Sequence, residues 1–169
     1  MESKAKLLGH PIHQMLIVFP LGLLATAVIF DLLIIWSANS RWSEAAFYMI
    51  GAGIIGGLVA AVFGLIDWLA IPSGTRAKPV GTWHGLGNVV VVLLFAASWM
   101  LRYNSPSSPE SLALTCSFLG VCLALVTGWL GGELVDRLGI GVDDGANPDA
   151  PSSLKTGKAA HSSPSPRRA

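Results

Sequence analysis

Four long apolar segments, joined by short polar connections, constrain the fold of this chain more than any other feature. A transmembrane helix needs about 20 consecutive, mostly apolar residues, and residues 11–36, 44–70, 82–102 and 111–134 all meet this requirement. Charged residues make up only 12 % of the chain, whereas about 25 % is usual in soluble domains. The composition therefore predicts an all-α integral membrane protein that lies in a lipid bilayer.

The connections between the apolar segments are short and contain turn-forming residues. Short connections make consecutive helices run antiparallel, so the predicted fold is an up-and-down bundle of four transmembrane helices within residues 1–142. Residues 143–169 are rich in serine, proline and alanine and have no apolar periodicity. That composition predicts a disordered tail after the bundle.

The lysines and arginines near the span ends predict how the bundle is oriented. Cytoplasmic loops carry an excess of these residues. The side of the bundle that holds both termini has five basic residues near the spans, and the opposite side has two: Lys4, Lys6, Arg76, Lys78 and Arg137 against Arg41 and Arg102. Both termini, and with them the tail, are therefore predicted to be cytoplasmic.

Each predicted span carries ionisable side chains at its cytoplasmic end. They are His10 and His13 in the first span, Asp67 in the second, His84 in the third and Glu133 in the fourth. Imidazole and carboxylate together suit zinc, iron, manganese or copper. Histidines from the first and third spans would also suit a haem iron, such as that of haem b, because bundles hold haem between facing helices.

We therefore hypothesise a transition-metal or haem site with His10, His13 and His84 as ligands. Asp67 and Glu133 either bind the metal as well or orient the histidines, and Asn88, one turn after His84, also has an orienting role. Two alternatives remain open for the same cluster. The side chains form a structural hydrogen-bond network that locks the helices together, or they line a path for protons or substrate. Gly53, Gly56, Ala60 and Gly64 share a face of the second span with Asp67, which indicates close helix packing there.

Helix phase predicts an ion pair at the other end of the bundle. Eighteen residues are five full turns of an α-helix, so His13 shares a face with Asp31, and His84 shares a face with Arg102. Asn88 and Ser98 extend the second of these faces into a polar stripe. Polar stripes face the bundle interior, because lipid cannot satisfy them. Asp31 and Arg102 are therefore expected to pair; alternatively, Arg102 extends to the headgroups while Asp31 stays neutral.

Other chemistries find no support in the sequence. It contains no Walker loop, no GxSxG elbow and no HExxH motif, so whether the protein is an enzyme stays open. Cys116 and Cys122 are six residues apart and do not form a CxxC redox pair. A net charge of +1 gives no reason to expect nucleic acid as a partner.

The chain resembles a bacterial membrane protein family, domain of unknown function 2231. The resemblance covers about residues 8–142 and rests on "GHPIHQMLIVFPLGL", "FDLL", "GLIDW", "WHGLGN" and "TGWLGGELV". The family's first motif commonly has a second proline where this chain has Gln14. The resemblance implies a four-helix protein of the bacterial cytoplasmic (inner) membrane. Because some relatives are fused to Rieske-type or cytochrome-like domains, it also implies membrane electron transfer.

These expectations leave three classes of function open. The first is a metal- or haem-binding redox subunit that works with a separate redox partner protein. The second is a structural or interaction subunit, in which the polar cluster only locks helix packing. The third is a small transporter, which would have to form homo-oligomers because four spans are few for a carrier.

Overall fold

Four long helices, each long and apolar enough to cross a membrane, make up most of the computed structural model, which describes residues 1–155. In order along the chain the helical elements are α1 (Ile12–Leu16), α2 (Val18–Ser37), α3 (Ser40–Ala70), α4 (Ala77–Arg102), α5 (Ser111–Gly132) and a π-helical turn (Glu133–Arg137). Helices α1 and α2 together form the first span, and α5 with the π-helical turn forms the fourth. The predicted all-α fold with four spans is confirmed.

The breaks between helices have local causes. Helix α1 ends at Leu16, four residues before Pro20; proline lacks the N–H that would bond to that carbonyl, and its ring crowds it. Ala38 ends α2 in the left-handed conformation at φ 52°, and the Asn39 side chain accepts a hydrogen bond from the Arg41 backbone N–H at 3.1 Å. This N-cap starts α3 at once, so the first connection is a tight turn.

The helices pack in the order α2, α3, α4, α5 around the bundle, and α5 closes the ring against α2. Helices α2 and α4 therefore lie on a diagonal, as do α3 and α5. Consecutive helices run antiparallel, so α1, α2 and α4 start at one end, which we call the histidine end because His13 and His84 lie there. The opposite end is called the Asp31 end.

A buried apolar cluster fills the middle of the bundle. Its members are Leu24, Ala27, Val28, Ala46, Ile50, Val91 and Phe95. Large apolar side chains such as Phe19, Leu58 and Leu125 are more than half exposed on the outer faces of the helices. Contiguous apolar surface of this kind on every helix is the pattern expected of a protein whose solvent is lipid.

The amino-terminal residues fold across the histidine end. Two-residue strands β1 (Lys6–Leu7) and β2 (His10–Pro11) pair antiparallel around Leu8 and Gly9, which both have positive φ. His10, expected at the start of the first span, thus belongs to a strand. The backbone of Met1 bonds to residues 139 and 141, beyond the last helix. Residues 143–155 contain no helix or strand, and the rest of the predicted tail, 156–169, lies outside the described residues.

Candidate functional site

Two histidines from diagonal helices meet inside the histidine end of the bundle. His13 Nδ1 lies 2.8 Å from the carbonyl oxygen of Ala60, and His84 Nδ1 lies 2.9 Å from that of Thr127. A carbonyl oxygen only accepts hydrogen bonds, so each Nδ1 carries the proton and donates it. In the neutral rings the lone pair of both histidines is therefore on Nε2.

The two imidazole rings are close and perpendicular to each other. Their centroids are 6.4 Å apart, and their planes make an angle of 89°. Both rings are partly buried. The two rings are therefore neighbours in the interior of this end of the bundle.

A glycine on the neighbouring helix makes room for each ring. A Cβ atom at Gly64 would lie 2.8 Å from His13 Cε1, and a Cβ atom at Gly131 would lie 3.0 Å from His84 Cε1. Each glycine follows the residue whose carbonyl accepts the histidine's hydrogen bond by one helical turn. The small residues that the sequence placed on the packing face of the second span therefore also seat a histidine.

Asn88 holds His84 from a second direction. Its Nδ2 lies 2.9 Å from the His84 carbonyl oxygen and 3.3 Å from His84 Nε2, and its Oδ1 accepts a hydrogen bond from Thr127 Oγ1 at 3.0 Å. Asn88 thus contacts both the backbone and the ring of His84. The longer contact is weak, and a stronger partner at His84 Nε2 would have to displace it.

The remaining candidate ligands have other partners, and the structure does not bring the five residues together. Glu133 pairs with Arg76 at 2.6 Å, and the exposed His10 contacts Ser153 at 3.3 Å. Within residues 1–155, no group of three or more histidine, cysteine, aspartate or glutamate side chains is placed to hold a metal ion. The candidate site is therefore the pair His13 and His84.

Asp67 fastens the amino-terminal segment to the bundle. Both of its carboxylate oxygens lie 2.8 Å from Ser3 Oγ, and the Lys4 backbone N–H donates to Oδ1 at 2.8 Å. Asp67 follows Ala60 by seven residues, so it lies about 10 Å further along α3 than the His13 contact. On the exposed side of the segment, the Lys6 ammonium forms a 2.6 Å bond to Glu2 and lowers the pKa of that carboxyl.

Replacing Asp67 with alanine is expected to release the amino-terminal segment, because hydrogen bonds to a carboxylate contribute about 1.5–3 kcal/mol. Trypsin should then cleave after Lys4 and Lys6 about ten- to a hundredfold faster, since cleavage tracks the population of the open segment. Asp136→Ala is the control, because Asp136 is exposed at the same end of the bundle and, among residues 1–155, forms only a long surface ion pair with Arg137 at 3.8 Å. Equal cleavage rates in the two variants would contradict this role of Asp67.

Asp31 and Arg102 form a two-pronged ion pair inside the Asp31 end. Arg102 NH1 donates to Asp31 Oδ1 at 2.6 Å, and NH2 donates to Oδ2 at 2.7 Å. Arg102 also donates to Ser98 Oγ at 3.2 Å and to Ser117 Oγ at 3.0 Å. All four side chains are fully buried, so the guanidinium and the carboxylate have protein partners in place of water.

The comparisons with known proteins agree with this architecture. A family model for DUF2231, described as a predicted membrane protein, matches residues 9–144. The chain belongs to the DUF2231 family. No curated protein and no solved structure matches the chain. The matched residues of this DUF2231 protein include all four spans, the histidine pair and the ion pair.

Sequence reasoning did not find every residue that completes these sites in the DUF2231 protein. It missed Ser117, which bonds to Arg102, and Thr127, which supplies a carbonyl to His84 and a hydroxyl to Asn88. Both are hydroxyl residues within the apolar fourth span. Their signal was the polar side chain itself, since the interior of a bundle is where such groups find partners.

Proposed function

We propose that this protein is a membrane subunit that binds a transition metal between His13 and His84, either as an ion or as the iron of a haem, and supports redox chemistry. The observation that carries the proposal is the shared arrangement of the two rings. Each Nδ1 is tied to a backbone carbonyl, and that contact turns each Nε2 into the available ligand. Metal-ligating histidines characteristically donate their other ring N–H to such an acceptor.

The spacing of the rings supports a shared ion. Two imidazole nitrogens that each lie about 2.0–2.1 Å from a metal place their ring centroids about 6 Å apart when they face each other across it. The observed centroid separation of 6.4 Å is close to this value, although the ring planes are perpendicular and each Nε2 would have to turn from its own glycine toward the metal. Asn88 orients His84 in this proposal, while His10, Asp67 and Glu133 take no part in binding.

The number of protein ligands favours some metals over others. Zinc sites use three or four protein ligands, and the part of the chain covered by residues 1–155 offers only two here. Two neutral imidazoles suit an iron whose other four positions belong to a macrocycle. They also suit a copper ion of low coordination number, since imidazole is a good ligand for copper. A separate partner protein would exchange electrons with the bound metal.

The proposal also includes a location, the bacterial inner membrane with the histidine end on the cytoplasmic side. Lys4, Lys6, Arg76, Lys78 and Arg137 all lie at the histidine end, which is the distribution that the positive-inside rule associates with the cytoplasm. Electrons would then be exchanged at the cytoplasmic face. Labelling of single cysteines from either side of the membrane, in a background without Cys116 and Cys122, tests this orientation.

The purified protein in mild detergent is expected to carry about one metal per chain, because two equivalent ligands define one site. A visible spectrum identifies haem and elemental analysis identifies a bare ion. His13→Ala and His84→Ala should each remove the metal, and the matched control His10→Ala should keep it, since His10 is exposed and lies outside the pair. Substoichiometric metal in the unaltered protein, with no haem absorption, would overturn the proposal.

One observation favours a structural subunit as the second candidate. Within the described residues, every buried side-chain nitrogen and oxygen has a hydrogen-bond partner, and such fully paired networks fix helix packing without a ligand. For this candidate His13→Ala and His84→Ala lower stability by about 1–3 kcal/mol, the cost of leaving a buried polar partner unpaired. The metal content of the unaltered protein separates the two candidates.

A further inference from the structure

The first and third spans carry matching residues at matching separations. Eleven, fourteen and eighteen positions after His13 lie Leu24, Ala27 and Asp31. At the same separations after His84 lie Phe95, Ser98 and Arg102. All six of these side chains are buried, and all except Leu24 have no exposed surface. The correspondence is one of position and burial, and only the histidines are identical.

The second and fourth spans match in the same way. The glycine that seats His13 lies four residues after Ala60, and the glycine that seats His84 lies four residues after Thr127. Eleven residues before each of these glycines lies another one. A Cβ atom at Gly53 would lie 2.6 Å from Leu24, and one at Gly120 would lie 2.8 Å from Phe95. Contacts between the first and second spans therefore recur between the third and fourth.

We infer that the four spans are two copies of one helical hairpin, residues 12–70 and 77–137, which pack face to face about a pseudo-two-fold axis along the bundle and recognise each other through Asp31 and Arg102. The axis follows the bundle because the equivalent helices α2 and α4 start at the same end and lie on a diagonal. Parallel repeats related by such an axis are one of the ways in which membrane proteins are built.

The axis explains why the interface between the hairpins needs unlike charges. Equivalent positions that lie close to a two-fold axis face each other, as His13 and His84 do with centroids 6.4 Å apart and as Asp31 and Arg102 do in their ion pair. If positions 31 and 102 carried the same charge, two like charges would be buried next to each other, which is strongly unfavourable. Aspartate in one copy and arginine in the other make each hairpin prefer the other copy to a second copy of itself. This inference goes beyond the proposed metal site and does not depend on it.

Two hydroxyls decide which copy carries the arginine. Ser98 and Ser117 both accept hydrogen bonds from Arg102. The equivalent positions in the first copy are Ala27 and Ile50, which are fully buried as well. A guanidinium at position 31 would face these apolar side chains and leave N–H groups unpaired. The equivalence therefore makes a specific prediction about exchanging residues between the copies.

The test compares two exchanges in the full chain. The charge exchange is Asp31→Arg with Arg102→Asp. The complete exchange adds Ala27→Ser, Ile50→Ser, Ser98→Ala and Ser117→Ile, so the hydroxyls move together with the arginine. Thermal unfolding in detergent should show a large loss of melting temperature for the charge exchange and recovery of more than half of that loss in the complete exchange. A complete exchange that melts no higher than the charge exchange, or that does not fold, overturns the inference.

A second test exchanges apolar core residues, so it can be carried out even if the charge variants do not fold. Leu24 and Phe95 are equivalent and each packs on a glycine of its own hairpin, so Leu24→Phe with Phe95→Leu conserves both the volume and the symmetry. Ile50→Phe with Phe95→Ile also conserves the total side-chain volume of the core, but it exchanges positions that are not equivalent. The equivalent exchange should melt higher than the non-equivalent one. Equal or reversed melting temperatures count against the repeat.

Discussion

Arg102→Ala is expected to lower the free energy of unfolding by about 3–5 kcal/mol, because it leaves Asp31 as a buried charge without a partner. Asp31 has no exposed surface, and both of its carboxylate oxygens accept hydrogen bonds from the guanidinium. Removal of Arg102 also takes a donor from Ser98 and from Ser117. Unfolding in detergent, followed by circular dichroism or by tryptophan fluorescence, measures the loss.

The double variant Asp31→Ala with Arg102→Ala separates this cause from a simple loss of packing. With no charge left to bury, it is expected to be more stable than either single variant, since breaking a buried pair costs more than removing it. Arg41→Ala is the matched control: Arg41 is an exposed arginine at the same end of the bundle, so its effect should stay within about 0.5 kcal/mol. Additive losses in the double variant would show that the charges do not interact.

Gly64→Leu is expected to have the second large effect and to lower the free energy of unfolding by about 1–3 kcal/mol, the usual cost of overpacking. Even the first added carbon atom would lie 2.8 Å from His13 Cε1. The ring must then leave its place against α3 and give up its 2.8 Å bond to the Ala60 carbonyl. Any metal held by the histidine pair should be lost with it, which elemental analysis of the variant measures.

Gly22→Leu is the control for this substitution. Gly22 lies in a helix, has no atom within 4 Å of an added Cβ and is exposed on the outer face of α2. Both substitutions gain the same helix propensity, about 1 kcal/mol for replacing glycine. The difference between the two variants therefore isolates the contact with His13. A Gly64→Leu protein as stable as Gly22→Leu would mean that the bundle does not need this close approach.

The membrane spans were predictable because lipid selects for a property that composition records directly. A helix in a bilayer needs about 20 apolar residues whatever it packs against. The predicted ends were less accurate at polar residues. Helix α3 begins at Ser40 and α4 at Ala77, each several residues before its apolar segment. Hydrogen bonds of the backbone and of the Asn39 cap continue a helix past the apolar part.

The ion pair was predictable because helix phase is a local property. Two residues eighteen positions apart share a face in any straight helix, and two opposite charges in a lipid-facing bundle have few other partners. The break between α1 and α2 at Ile17 did not move Asp31 off the inner face. The hydroxyls around Arg102 come from α4 and α5. One of them, Ser117, depends on how the two helices cross, and phase within one helix does not give it.

The five candidate metal ligands were predicted to share a site because they lie at the same depth in the membrane, and this criterion was not sufficient. Equal depth at one end of a bundle is necessary for a shared site, but side-chain partners decide what is shared. Asp67 bonds to the amino-terminal segment and Glu133 to Arg76, and His10 lies in a short strand outside the bundle. These contacts involve residues that have no helical period, and no sequence pattern indicated where they fold.

What the sequence determined by itself is the solvent, the number of spans, their antiparallel order and the charged residues that face inward, because these follow from apolar length and helical period. Only the tertiary structure decided that His13 and His84 lie close together, each against its own glycine, and that the matching separations in the two hairpins correspond to matching buried positions. Both depend on distances between helices that are far apart along the chain. Close packing sets those distances through the joint shapes of many side chains, and no local stretch of sequence contains that information.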